Sequence, residues 1–167
     1  KYLGLPDEEK YAGMGVSACA TCDGFFYRKK KVAVVGGGDT AAEEAIYLAG
    51  LADHVYMIVR KNHLRASDIM RRRVESNPKI TVLYEHNTLG LYGEDGVEGA
   101  HLVKRLGQPD EEKVDLPIDG FFLAIGHHPN SELFADYLDR DEVGYLLTEG
   151  ATPRTNLPGI YAAGDVA

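Results

Sequence analysis

Tryptophan is absent from this 167-residue chain, and cysteine occurs only twice. No apolar run approaches the roughly 18 residues that a membrane-spanning helix needs, and no signal-peptide pattern opens the sequence. Basic residues are in deficit, 18 Lys and Arg against 26 Asp and Glu, for a formal net charge of -8. That balance argues against generic nucleic-acid binding, which needs clustered positive charge against the phosphate backbone. What is present is ordinary for a globular fold: 44% hydrophobic and 26% charged residues, in a length that buries a core without covalent staples. The first residue is Lys1 rather than Met, which suggests a processed, partial or engineered segment.

The two cysteines stand close together, in Ala18-Cys19-Ala20-Thr21-Cys22-Asp23-Gly24. A bridge across a two-residue spacer closes almost no loop, so it is a poor staple. The pair fits a reducing, cytoplasmic compartment. Three readings are open. Half of a zinc site lacks a second Cys or Cys/His pair at ligand spacing. Two small buried residues are the plain alternative. A dithiol/disulfide redox centre uses proximity to make exchange intramolecular; Asp23 is then a proton donor or acceptor, or else a turn residue before Gly24.

Lys31 to Val35 reads as a short buried strand and runs into Gly36-Gly37-Gly38-Asp39-Thr40-Ala41. Helix formers follow to Leu51, and His54 to Val59 is a second buried strand. The pattern Gly36-x-Gly38-x-x-Ala41, between strand and helix, has the context that a dinucleotide fingerprint requires. Gly36 permits the tight turn, Gly38 lets backbone approach a pyrophosphate, and Ala41 packs against the strand. The helix start near Asp39 or Thr40 offers unpaired N–H groups to phosphate. An NAD site usually carries an acid about 20 residues on, at the end of the second strand. Here that place holds Arg60 and Lys61, with Arg65 shortly after, and the first acid downstream is Asp68. Guanidinium forks suit a 2′-phosphate, so the expected cofactor is NADP(H). Arg71 to Arg73 read instead as a solvated helix face.

Further along, Ser67 to Ser76 reads as a helix and Ile80 to Tyr84 as a strand. Strands near Thr88 to Tyr92, Val97 to Leu106 and Lys113 to Ile118 form a β-meander. Gly120 to Ile125 is another buried strand, and a short helix is expected over Ser131 to Leu138. The fold class is α/β: a Rossmann-like parallel sheet with βαβ units and a β-meander crossover, in three layers.

Taken together, Ser17-Ala18-Cys19-Ala20-Thr21-Cys22-Asp23-Gly24-Phe25-Phe26-Tyr27-Arg28 and Val32 to Ala41 resemble low-molecular-weight, bacterial-type thioredoxin reductases. The likeness continues through Val59-Arg60-Lys61 with Arg65, Ala124-Ile125-Gly126-His127-His128-Pro129-Asn130, and Pro158-Gly159-Ile160-Tyr161-Ala162-Ala163-Gly164-Asp165. The resemblance implies a flavoprotein that passes electrons from NADPH to FAD, then to a Cys19–Cys22 disulfide, then to thioredoxin. It implies that Cys22 faces the flavin, that Cys19 attacks the partner's disulfide, and that Asp23 is the acid/base. It places Ile125 and Gly126 among the cofactor contacts, and Asp165 at the FAD ribityl chain. The family's full-length homodimer forms largely through the FAD domain, so this chain by itself is expected to be monomeric.

The sequence departs from that pattern in lacking an earlier FAD-type glycine motif before Lys31 and in carrying Val59 where a His is common. The expected layout is a flank at residues 1–24 leading into the dithiol, an NADPH-binding core at 25–130, and a return flank at 131–167. Such a chain is expected to bind NADPH, not to retain FAD, and not to reduce thioredoxin alone. The rival functions are a flavin subunit of a peroxide-reducing system and a non-catalytic NADP(H)-binding redox sensor.

Overall fold

The strands of the main sheet form because their β-branched and aromatic residues fit a pleated sheet with a layer packed on each face. In the computed structural model, which describes residues 2–126 and 128–167, they are β1 (Val16–Ser17), β2 (Lys31–Val35), β3 (His54–Val59), β4 (Ile80–Tyr84) and β8 (Gly120–Leu123). They make one parallel sheet in the order β1-β8-β2-β3-β4. The strands between β4 and β8 are β5 (His86–Tyr92), β6 (Gly99–Lys104) and β7 (Glu112–Pro117), an antiparallel meander.

Successive side chains of a strand point to opposite faces, and that alternation builds two cores. Val32, Val34 and Phe122 pack with Ala41, Ala45 and Leu48 of α2 (Asp39–Ala49) and Val74 of α3 (Asp68–Glu75). Ala33, Val35 and Phe121 pack on the other side with Leu91, Leu102 and Leu116 of the meander. Helices, parallel sheet and meander are thus three layers, as the sequence predicts. Burying each Val, Leu or Phe removes apolar surface worth about 1.5–3 kcal/mol.

Two local expectations change. The flank at residues 1–24, to which the sequence assigns no strand or helix, contributes β1 to the sheet and a short helix α1 (Ala20–Asp23). A two-residue strand carries no periodic signal, and its partner β8 lies about a hundred residues downstream, with Val16 opposite Phe121 and Ser17 opposite Phe122. The helix expected over Ser131 to Leu138 shrinks to a 3-10 turn, Glu132–Phe134. Asp136 and Asp139 place acid where a helix C-terminus favours base, and the Ser131 hydroxyl donates to the Gly144 carbonyl rather than capping.

The chain divides into two compact units, one ending at Gly126 and one made by the residues that follow. The second has its own small core of Leu138, Leu146 and Ala162. Antiparallel bridges join Arg140 to Leu146 and Arg154 to Tyr161. There the Asp141 carboxylate accepts from the N–H groups of Val143, Gly144 and Tyr145. Burial pushes its pKa up, but those three donors outweigh it and leave the group below the ordinary carboxylate value. Lys1 and His127, the latter part of the motif from Ala124 to Asn130, lie outside the described residues.

Candidate functional site

The first unit carries two candidate centres. At the end of β1 the chain turns into α1, with Cys19 as its N-cap. Cys19 and Cys22 are joined by a disulfide with an S–S distance of 2.04 Å, and the Cys22 N–H donates to Cys19 Sγ at 3.2 Å. Of the three open readings this is the dithiol/disulfide, and no cluster of metal-ligating side chains occurs among the described residues. Cys22 is exposed and Cys19 half-buried.

Asp23 is held beside the disulfide by Ser17, which is buried. The Ser17 hydroxyl accepts from the Cys19 N–H at 3.0 Å and donates to Asp23 Oδ2 at 2.7 Å. The longer contact from that hydroxyl to the Cys19 carbonyl, 3.3 Å, loses the competition for its single proton. Behind this turn Tyr27 packs edge-on against Phe122 with ring centroids 5.2 Å apart. Burial, helped by the charges of Asp23 and Asp119, pushes the Tyr27 phenol up. Sequence reasoning did not assign Phe25 and Phe26 to the site, yet they stand 64% and 71% exposed in the 3-10 turn after Asp23. Two adjacent aromatics directly following the dithiol were the available signal.

The second centre is a cleft of about 450 Å³ at the C-terminal ends of β2, β3 and β8, where open parallel sheets bind ligands. Gly36, Gly37, Gly38 and Thr40 line it after β2, Arg60, Lys61 and Arg65 after β3, and Ile125 and Gly126 after β8. Gly36 has φ +145°, and a Cβ there would stand 2.4 Å from the Ala124 carbonyl oxygen, so the fold itself demands glycine. Gly38 is different. Its φ is an ordinary -93°, and a Cβ would meet nothing within 4 Å. It is the N-cap of α2 yet brings no capping side chain, which leaves the helix N-terminus open toward the cleft.

Two residues of the glycine-turn motif expected at NADPH do not line the cleft. Ala41 is fully buried against Gly36. Asp39 turns its carboxylate away: Oδ1 accepts from the Ser67 N–H at 2.9 Å and from the Ser67 hydroxyl at 2.8 Å. Those bonds, the backbone one first, hold its pKa below the ordinary carboxylate value. Asp165 lies in the second unit, exposed in the turn closed by the Ala167 N–H on the Gly164 carbonyl. Arg71 pairs with Asp68 on the surface of α3, as a solvated helix face would.

The meander adds His86, Asn87 and Thr88 to the cleft. Thr88 Oγ1 is buried and has no partner among the described residues, so it is a hydroxyl available to a ligand. Leu3 also lines the cleft. Its segment is tied by the buried Glu8, whose carboxylate accepts from the N–H groups of Leu3, Gly4 and Leu5 at 2.8–3.0 Å. Nothing local marks these residues in sequence, because only the chain's return brings them to the strand ends.

A disulfide beside an aspartate thus lies on the same α/β unit as a glycine-turn cleft with a basic rim. The family model described as pyridine nucleotide-disulphide oxidoreductase matches residues 1–167, and the chain belongs to that family. Within it, the chain is 50% identical to the thioredoxin reductase of Coxiella burnetii over 99% of its own length and 53% of that protein. It is 49% identical to the mitochondrial thioredoxin reductase of Kluyveromyces lactis, covering 99% of this chain and 48% of the relative. The crystal structure of Lactococcus lactis thioredoxin reductase in its FR conformation superposes with a TM-score of 0.85 at 34% identity, covering 99% of this chain and 54% of that one. The chain spans about half the length of the curated relatives it matches.

Proposed function

We propose that this chain supplies the NADPH-binding and dithiol parts of a thioredoxin reductase. The observation that carries the cofactor reading is Gly38, a glycine that the fold does not need, at an uncapped helix N-terminus inside a cleft rimmed by Arg60, Lys61 and Arg65. Space left where a Cβ would sit, beside helix N–H groups, fits a pyrophosphate. Three cations and no acid at the end of β3 fit a 2′-phosphate. The residues present therefore fit NADPH, which supplies a hydride, that is, two electrons.

Reducing the Cys19–Cys22 disulfide to two thiols takes two electrons and two protons. Asp23, oriented by Ser17, is placed to hand a proton to a departing sulfur or to take one back. The exposed Phe25 and Phe26 give the dithiol an apolar lip against which a partner such as thioredoxin can rest. When bound, FAD supplies the two-electron relay between nicotinamide and dithiol, and Asp165 is the residue of this chain we assign to it. We place the protein in a reducing compartment, the cytoplasm in the first instance.

Because the chain has no Trp, nicotinamide fluorescence reports binding without interference. Titration of the chain is expected to show NADPH binding at least about tenfold tighter than NADH, the worth of roughly one charge-assisted contact set. Equal affinities would overturn the cofactor reading.

A further inference from the structure

A dinucleotide's pyrophosphate and 2′-phosphate belong to one adenosine unit, so the groups that hold them must keep a fixed separation. On the protein side, Arg60 and Lys61 follow directly from β3, and the sheet registers them to the glycine turn through the pairing of β2 with β3. Arg65 has no such strand. It sits on an exposed loop between β3 and α3, anchored below by the buried Leu64.

Three successive residues of that loop are tied back to the glycine turn. The Gly37 carbonyl accepts from the Arg65 N–H at 2.6 Å and the Ala66 N–H at 3.0 Å. The Asp39 carboxylate then accepts both donors of Ser67. Ser67 is also the N-cap of α3, where a serine oxygen ordinarily accepts an N–H of the helix's first turn. It makes no such bond; its hydroxyl goes to Asp39, across 28 residues of sequence. Asp39 in turn opens α2, the helix whose N-terminus faces the cleft. An acid free at that point would compete with a phosphate for the helix N–H groups, and the bond to Ser67 turns it aside.

We propose that Asp39 and Ser67 form a positioning strap that registers the Arg65 loop to the glycine turn, and so sets the preference of the cleft for a 2′-phosphorylated nicotinamide dinucleotide. The strap acts through Arg65 rather than by touching the cofactor. This inference rests on the NADPH reading above and adds to it the residues that enforce the discrimination.

The test is titration of the 167-residue chain and its variants with four probes: NADPH, NADH, 2′,5′-ADP and 5′-AMP. Asp39→Ala is expected to weaken NADPH and 2′,5′-ADP about tenfold while changing NADH and 5′-AMP by less than about twofold. Ser67→Ala keeps its backbone N–H on Asp39 and is expected to lose about threefold in the same ratio. Asp39→Asn, whose amide oxygen accepts both Ser67 donors, is expected to restore the ratio. Parallel weakening of phosphorylated and unphosphorylated probes in both variants would make the strap purely structural and overturn the inference. An unchanged ratio in both variants would overturn it too. If the unsubstituted chain itself fails to prefer NADPH, the cofactor reading falls first and takes the strap with it.

Discussion

The dithiol turn and the nucleotide cleft each use an aspartate held by a serine, but the two hydrogen bonds span different things. Ser17 and Asp23 are six residues apart, the serine is buried, and the bond shapes one turn. Ser67 and Asp39 are 28 residues apart, both are exposed, and the bond joins two elements. Breaking the first pair leaves a buried Asp23-facing cavity and an unpaired Cys19 N–H, so its cost falls on stability and on the disulfide's surroundings. Breaking the second exposes groups that water satisfies, so its cost falls on where Arg65 is held. The same pair of residue types is a packing device in one place and a registration device in the other.

The bluntest way to break this contrast is to remove the cleft. Gly36→Val puts a side chain against the Ala124 carbonyl at a φ that L residues rarely adopt. It is expected to cost roughly 3 kcal/mol in urea denaturation and to abolish NADPH binding. A folded, NADPH-binding Gly36→Val chain would show that the turn is not the pyrophosphate seat. A sharper comparison crosses the two serines. Ser17→Ala is expected to lower stability by about 1–2 kcal/mol, since a buried hydroxyl with two partners is lost, with the NADPH to NADH ratio unmoved. Ser67→Ala is expected to do the converse, shifting the ratio with stability within about 0.5 kcal/mol of the parent. If both substitutions act alike, the distinction between the pairs fails.

The smallest effect is in pH. The Asp39 carboxyl sits below its ordinary value of 3.8 because of the Ser67 N–H and then the Ser67 hydroxyl. A lowered folded pKa stabilises the fold above the unfolded value and loses that contribution as pH falls through the folded value. The charged strap is therefore complete at neutral pH, and protonation in acid below 3.8 weakens its two bonds while leaving an oxygen to accept them. Carboxyl NMR of the chain, with Asp39→Asn to assign the signal, is expected to show that low midpoint. A midpoint at or above 3.8 would mean the Ser67 bonds are not held in solution.

Much of this was legible locally. The strands at His54 to Val59 and Ile80 to Tyr84 matched their sequence patterns end to end, because short runs rich in β-branched and aromatic residues, bounded by turn residues, leave little freedom. The glycine turn and the basic residues after β3 share one short βαβ stretch, so their convergence could be read from spacing. The role of Asp39 could not. In sequence it is a plausible phosphate-side residue at a helix start, and only Ser67, brought over by α3, shows where its charge goes. Thr88, Leu3 and Glu8 were hidden for the same reason, since their neighbours are set by tertiary return of the chain. The Ser131 segment misled because helix formers there compete with acids at the wrong end and with a hydroxyl bond to Gly144.

The position of β8 between β1 and β2 has a consequence for biosynthesis. Chains emerge from the ribosome N-terminus first, and β1, the strand that carries the cysteines into place, has β8 as its partner in the sheet. The cysteines are therefore made about a hundred residues before the strand that docks them. Their own turn needs only local bonds and can close early, and Ala20 can pack on α2, but the pairing of β1 with the sheet waits for Phe121 and Phe122. A nascent chain halted before Gly120 would carry the cysteine pair on a strand without its partner, with the β2 edge still open to pairing.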